Sequence, residues 1–230
     1  MPVSQGEIGE LRGVLFDMDG TLCDTEPCWM AAEQAIAERY GAQWTTEDGL
    51  AMVGNDLRVS GSYLRKRMQL DVSVDEVVQE LLEGVLAAVS REGVEWLPGA
   101  LELVEACNDA AMPIGLVTMS YANFAGAILK SMPRGRFDVV VTGDQVERGK
   151  PAPDAYLRAA ELLGLDAASC IAIEDSPTGA ASAESAGCHV VVVPHHVDVS
   201  SDGDRTRVDS LTGVSLEGLR RLASRGPGRT

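Results

Sequence analysis

Five short apolar runs rich in β-branched residues set the limits on what this chain can become: Gly13 to Phe16, Ile114 to Val117, Val139 to Thr142, Cys170 to Ile173 and Val190 to Val193. Each is short for a helix and too continuously apolar for a strand with one face in water. Each therefore reads as a strand covered on both faces. Between the second and fifth runs lie segments of helical period, about Tyr121 to Ser131, Asp154 to Leu163 and Thr178 to Ala186. Strand and helix alternate, which predicts an α/β fold built on a Rossmann-like, doubly wound parallel sheet.

The gap between the first and second strands is far too long for one crossover helix. It holds three or four helical segments and no good strand candidate. A small inserted helical cap domain is expected over residues 24–95, with the catalytic core formed by residues 1–23 and 96–230. Pro98 and Gly99 are placed to open the helix that returns to the core. The chain after Asp198 is polar, with one further helix expected near Leu216 to Ala223 and a Gly/Pro/Arg end expected to fray.

Composition narrows the function. The 230 residues are 45% apolar and 23% charged, as in an ordinary globular protein, and the formal net charge is -16. That charge repels nucleic acid and anionic lipid, and no basic run offers a local exception. Neither nucleic acid nor membrane is expected as a partner. Met1 to Arg12 lacks a basic segment followed by an apolar run, so a cytoplasmic location is expected, as a monomer or weak homodimer. The five cysteines are scattered, odd in number and never spaced as CxxC, so they are read as reduced thiols, Cys28 included. A phosphorylated substrate would also be repelled at long range, so a phosphate site here must bring its own positive charge from a metal, a lysine or backbone N–H groups.

Such a site is written at the strand ends. The first strand runs into Asp17-Met18-Asp19-Gly20-Thr21-Leu22, two acids at the carboxyl edge of a parallel strand with Gly20 allowing the tight turn. The second ends in Thr118-Met119-Ser120, which offers hydroxyl and loop N–H groups to a phosphate oxygen. After the third comes Gly149-Lys150-Pro151, whose lysine is one of three in the chain. The fourth ends in Glu174-Asp175-Ser176-Pro177, a second acidic pair opening a helix. Each segment alone has a bland reading as a turn or cap. All four fall at one edge of one sheet, and hard carboxylate oxygens without clustered His or Cys suit Mg²⁺ rather than zinc. His189, His195 and His196, on or just beyond the fifth strand, are expected to have surface or packing roles.

With DMDGT at Asp17, Thr118, GKP at Lys150 and EDS at Glu174 in order, the chain resembles the haloacid dehalogenase superfamily, in the subgroup with a helical cap after the first strand. The resemblance spans about Gly13 to Pro194. It implies Asp17 as nucleophile, Asp19 as general acid and base, and Thr118, Met119, Ser120 and Lys150 around the phosphate. It also implies Asp17, the Asp19 carbonyl, Asp175 and Glu174 as Mg²⁺ ligands. Relatives that cleave carbon–halogen or phosphonate bonds lack an acid two residues after the nucleophile, so Asp19 points to a phosphatase or mutase acting on a small phosphorylated metabolite. β-Phosphoglucomutases carry a His twelve residues after the nucleophile and an Arg three residues after the cap glycine. This chain has Trp29 and Leu57 there, which favours the phosphatase. A binding or regulatory module without turnover is the rival from another class, and it has no physical need for Asp19. Trp29, Asn55, Arg58, Arg65 and Lys66 are the candidates for substrate contacts from the cap.

Overall fold

The computed structural model describes residues 10–200 and 205–225. The first nine residues and the Gly/Pro/Arg end lie outside the described residues. The chain runs β1 (Gly13–Phe16), β2 (Cys23–Asp24), α1 (Glu26–Tyr40), α2 (Thr46–Leu50), α3 (Leu57–Arg67), α4 (Val74–Glu92) and β3 (Glu95–Trp96). It continues through α5 (Ala100–Asp109), β4 (Ile114–Val117), α6 (Ala122–Ser131), β5 (Val139–Val141), α7 (Asp154–Leu163), β6 (Cys170–Glu174) and α8 (Pro177–Ala186). It ends in β7 (His189–Val192), β8 (Arg205–Arg207) and α9 (Leu216–Arg225).

Six strands form one parallel sheet in the order β5-β4-β1-β6-β7-β8. The chain builds outward from β1 through β4 to β5, then crosses back to β6 on the other side of β1. The direction of winding thus reverses beside β1, and in such sheets the crevice at the strands' carboxyl ends at that point is where ligands bind. The sheet is an α/β doubly wound layer, as the alternating runs predicted.

Successive strand residues point to opposite faces, and the core divides accordingly. Val14, Phe16, Ile114, Leu116, Ile171, Ile173 and Val191 pack on one side with Leu103 and Val104 of α5 and Leu219 of α9. Leu15, Val117, Val141, Cys170, Ala172, Val190 and Val192 pack on the other with Ala155, Tyr156 and Ala159 of α7 and Ala180 and Ala183 of α8. Small side chains on α7 and α8 bring those helices close to the strands.

Helices α1–α4 fall between β2 and β3, a two-residue antiparallel ladder pairing Cys23 with Trp96 and Asp24 with Glu95. These short strands, where the sequence offered no strand candidate, are the two points at which the chain leaves and re-enters the core. Helix α1 lies tightly on α4, since a Cβ at Gly84 would stand 2.9 Å from the Ala32 methyl. Ser73 and Glu76 close a capping box at the start of α4. The edge strand β8 was not visible in the sequence, because Arg205-Thr206-Arg207 has no apolar run. Strand β7 starts one residue earlier than expected, at His189. Among the described residues no helix is long and apolar enough to cross a membrane.

Candidate active site

Asp17 follows the last residue of β1, and its backbone N–H bonds to the Ile173 carbonyl on β6. That pairing sets the Asp17 side chain beside the end of β6. Lys150 arrives from the segment between β5 and α7, and its ammonium is held by Asp17 Oδ1 at 2.6 Å, Glu174 Oε1 at 2.6 Å and the Val117 carbonyl at 3.0 Å. Lys150, Glu174 and Asp175 are buried, and Asp17 is 7% exposed. Burial alone would lower the lysine's pKa, but Asp17 and Glu174 outweigh it and hold the ammonium charged. Burial pushes Asp17 up to about 8 against the pull of Lys150, with Glu174 and Asp19 adding to the rise.

Glu174 is fully engaged. Its Oε1 also accepts from the Tyr156 hydroxyl at 2.6 Å, and Oε2 from the Ser176 hydroxyl at 3.3 Å. A Cβ at Gly179 would overlap this carboxylate, so the glycine in the first turn of α8 is what lets Glu174 tuck beneath the helix. The residue expected among the metal ligands is thus anchored to the lysine. Asp175 differs: its Oδ2 is buried with no hydrogen-bond partner, and its pKa is raised by burial, then by Asp17 and Glu174. A buried, unpaired carboxylate oxygen is costly unless a cation meets it.

Asp19 collects four donors. Oδ1 accepts from the Thr25 hydroxyl and from Trp29 Nε1 at 3.4 Å, while Oδ2 accepts from Thr118 Oγ1 at 3.2 Å and Ser120 Oγ at 2.8 Å. Thr118 Oγ1 also accepts from the Ser120 N–H at 3.0 Å, and Met119 Sδ accepts from the Lys150 N–H at 3.1 Å. The three residues expected around the phosphate therefore orient Asp19 and the Lys150 loop here. Thr25 and Trp29 reach Asp19 from the start of α1. Trp29 is braced edge-on against Phe124, with ring centroids 5.2 Å apart.

A small cavity of about 70 Å³ joins these groups to α1–α4. Asp17, Asp19, Thr118, Met119, Ser120, Lys150 and Asp175 line its floor, and Trp29, Asn55 and Leu57 line its roof. Arg58, Arg65 and Lys66 do not reach it. On α3 the buried residues Leu57, Ser60, Gly61 and Leu64 recur at helical spacing, which turns Arg58, Arg65 and Lys66 to the exposed face. Arg58 instead pairs with Asp75 at 2.6 Å, and Arg65 donates to the Val72 carbonyl at 2.6 Å.

Glu26, Glu33 and Ser60, which no motif marks, also line the cavity, and so does His196, expected from the sequence to have a surface or packing role. Burial pushes Glu26 up to about 8, aided by Glu33, Asp19 and Asp24, and pushes Glu33 up to about 7 against a hydrogen bond from Trp44. No motif flags either acid, because their inward direction depends on how α1 docks. Lys150 is the one permanently cationic side chain among the described lining residues.

Asp17, Glu174 and Asp175 each offer an oxygen within 4.8 Å of the others. With Asp19 beside them, four carboxylates face one lysine. The orphaned Asp175 oxygen, the all-oxygen donor set and the uncompensated negative charge all suit a hard divalent cation.

The family model of haloacid dehalogenase-like hydrolases matches residues 14–193. The chain is 36% identical to hexitol phosphatase A of Escherichia coli, covering 90% of this chain and 92% of that one. It is 31% identical to the fructose-1-phosphate phosphatase YqaB of the same organism, over 79% of this chain and 95% of that one. The crystal structure of β-phosphoglucomutase from Clostridium difficile superposes with a TM-score of 0.82 at 20% identity, covering 94% of this chain and 98% of that one, a likeness of fold. The sheet, the four strand-end motifs and a family match spanning most of the chain agree, and the chain belongs to the haloacid dehalogenase-like hydrolase family.

Proposed function

We propose that this protein is a Mg²⁺-dependent phosphatase that removes the phosphoryl group from a small sugar or polyol monophosphate through an aspartyl-phosphate on Asp17. The observation that carries the reading is the pairing of Asp17 with buried Lys150 beside the unpartnered Asp175 oxygen. Asp17, the Asp19 backbone carbonyl and Asp175 would hold the cation, with Glu174 securing Lys150 behind them. When bound, the cation supplies positive charge against the phosphoryl oxygens.

In this reading Asp17 attacks phosphorus, forming a carboxylate O–P bond as the ester P–O bond breaks. Lys150 opposes the repulsion between the carboxylate and the anionic phosphoryl group. Asp19 enters the cycle in its acid form, gives that proton to the departing alkoxide and, now a carboxylate, takes one back from the attacking water, so one side chain serves both half-reactions. The Thr118, Ser120, Thr25 and Trp29 donors fix its orientation.

Helices α1–α4 act as a cap. A cavity of about 70 Å³ is far below the roughly 300 Å³ at which small-molecule sites begin, so a sugar phosphate enters only when these helices swing away. On closing, they bring Thr25 and Trp29 onto Asp19 and Gly54 against Ser176, and water is shut out as the general acid is set.

The lining also supports a leaving-group class. Glu26 and Glu33 remain after the catalytic groups are assigned, and Lys150 is committed to the phosphoryl group. Carboxyl groups exchange hydrogen bonds with hydroxyls, and no second permanently cationic side chain is among the described residues lining the cavity to hold another anionic group, so neutral sugars and polyols fit, whereas phosphoglycolate and bisphosphates do not. The named activities of the two Escherichia coli relatives point the same way. Trp29 and Leu57 in the roof speak against the mutase reading, which needs a second cationic hold on its intermediate.

The test is phosphate release from hexitol phosphates, hexose phosphates, phosphoglycolate, a sugar bisphosphate and a folded phosphoprotein, with Mg²⁺ and with EDTA. Metal-dependent release confined to the neutral-headed monophosphates is expected. Release from the phosphoprotein at a comparable rate would overturn the small-substrate reading, and silence on every phosphate would overturn the phosphatase.

A further inference from the structure

A second cluster of metal-ligand side chains lies where the chain passes between the core and α1–α4. Asp24 is the last residue of β2, separated from α1 by Thr25 alone, and His195 and His196 follow β7 on the core. By sequence alone these histidines are expected to have surface or packing roles. In the structure both turn the same ring nitrogen to one carboxylate. His196 Nε2 lies 2.8 Å from Asp24 Oδ1, and His195 Nε2 lies 3.3 Å from Asp24 Oδ2. The two imidazoles meet edge to face with centroids 4.2 Å apart, and the Glu26 N–H fixes Asp24 Oδ1 from the far side at 3.2 Å.

One donor atom from each of the three residues falls within 4.8 Å of the others. Ligands at about 2.1 Å in a tetrahedral shell stand about 3.4 Å apart; the two imidazoles meet different oxygens of Asp24, at 3.3 and 2.8 Å, so an ion taken by both rings and one of those oxygens would replace these contacts after a small turn of the carboxylate. Two imidazole nitrogens and one carboxylate oxygen select zinc and its transition-series neighbours over Mg²⁺, whose preference is for oxygen alone. The side chains are 16%, 31% and 26% exposed for Asp24, His195 and His196, so an ion can enter and a coordination position stays open to water.

We propose that Asp24, His195 and His196 form a second metal site, specific for a divalent transition ion such as Zn²⁺ and distinct from the carboxylate site at Asp17. An ion held there ties β2, through which the chain enters α1, to the segment after β7. It would restrain the junction about which α1–α4 must move, and it would sit at the rim of the cavity that His196 helps to line. The proposal stands on the donor geometry and does not require the phosphatase reading.

Co²⁺ is the probe, added to chelator-stripped full-length protein in excess Mg²⁺ so that the carboxylate site is filled. The expected result is one equivalent of Co²⁺ with visible ligand-field bands that Zn²⁺ abolishes, retained in Asp17→Asn. Affinity should fall by more than the roughly 10- to 100-fold that loss of an outer-shell partner causes in each of His195→Gln and His196→Gln. Should a variant fail to fold, the wild-type protein still decides: with only three histidines in the chain, Co²⁺ should broaden the imidazole resonances of two and spare His189. Absent bands in wild type, unchanged affinity in both Gln variants, or equal broadening of all three histidines would overturn the proposal.

Discussion

Glu33→Gln should stabilise the protein, and the gain should grow with pH. Glu33 lies on α1 with 4% of its surface exposed, and its Oε2 accepts from Trp44 Nε1 at 3.0 Å. Burial raises its pKa from 4.5 to about 7, because the charged form loses its hydration and gains one hydrogen bond in return. A carboxyl whose folded pKa is raised costs nothing while both states are protonated. The cost appears as pH rises through the unfolded value and is complete above the folded one. Two and a half units correspond to about 3 kcal/mol at pH 9, and the same relation leaves about 1.4 kcal/mol at pH 5.5. Gln keeps an oxygen for Trp44 and never ionises. Its advantage over wild type should therefore increase by about 2 kcal/mol between those pH values. Urea unfolding of the two proteins across this range reads the difference directly. Parallel stability curves would show that Glu33 is not desolvated and would refute the reasoning.

Other substitutions test the remaining links. Lys150→Met leaves Asp17 and Glu174 facing each other in the core, so unfolding in EDTA should show a loss of roughly 3–5 kcal/mol together with loss of turnover. Thr25→Val keeps side-chain shape but removes a donor to Asp19, and should lower kcat about tenfold, the equivalent of one lost hydrogen bond, with circular dichroism unchanged. Gly20→Ala puts a Cβ onto the Asp175 carboxylate at a backbone φ of +79°, so Mg²⁺ affinity by calorimetry should fall at least about tenfold, since that carboxylate can no longer keep its place.

The sheet was legible because a parallel strand buried on both faces must be apolar along nearly its whole length, as Ile114–Val117 is and as β6 is from Cys170 to Ile173. Strand β8 escaped because an edge strand meets no such demand. The strand-end motifs named Asp17, Asp19, Lys150 and Asp175 because short segments at fixed strand ends converge whatever lies between them. Glu26, Glu33 and Tyr156 carried no such signal. Their roles follow from how α1 and α7 dock, and Tyr156 reaches Glu174 across the core. The outward turn of Arg58, Arg65 and Lys66 was available in the sequence, since Leu57 and Leu64 mark the buried stripe of α3.

The central claim is that Asp17 carries the phosphoryl group, and it is tested by acid-quenching the enzyme during turnover of a hexitol phosphate and locating the phosphate by peptide mass spectrometry. The account predicts a hydroxylamine-sensitive phosphoryl adduct on Asp17 that requires Mg²⁺, absent in Asp17→Asn together with all turnover. Undiminished phosphate release by Asp17→Asn, or an adduct on another residue, would contradict it.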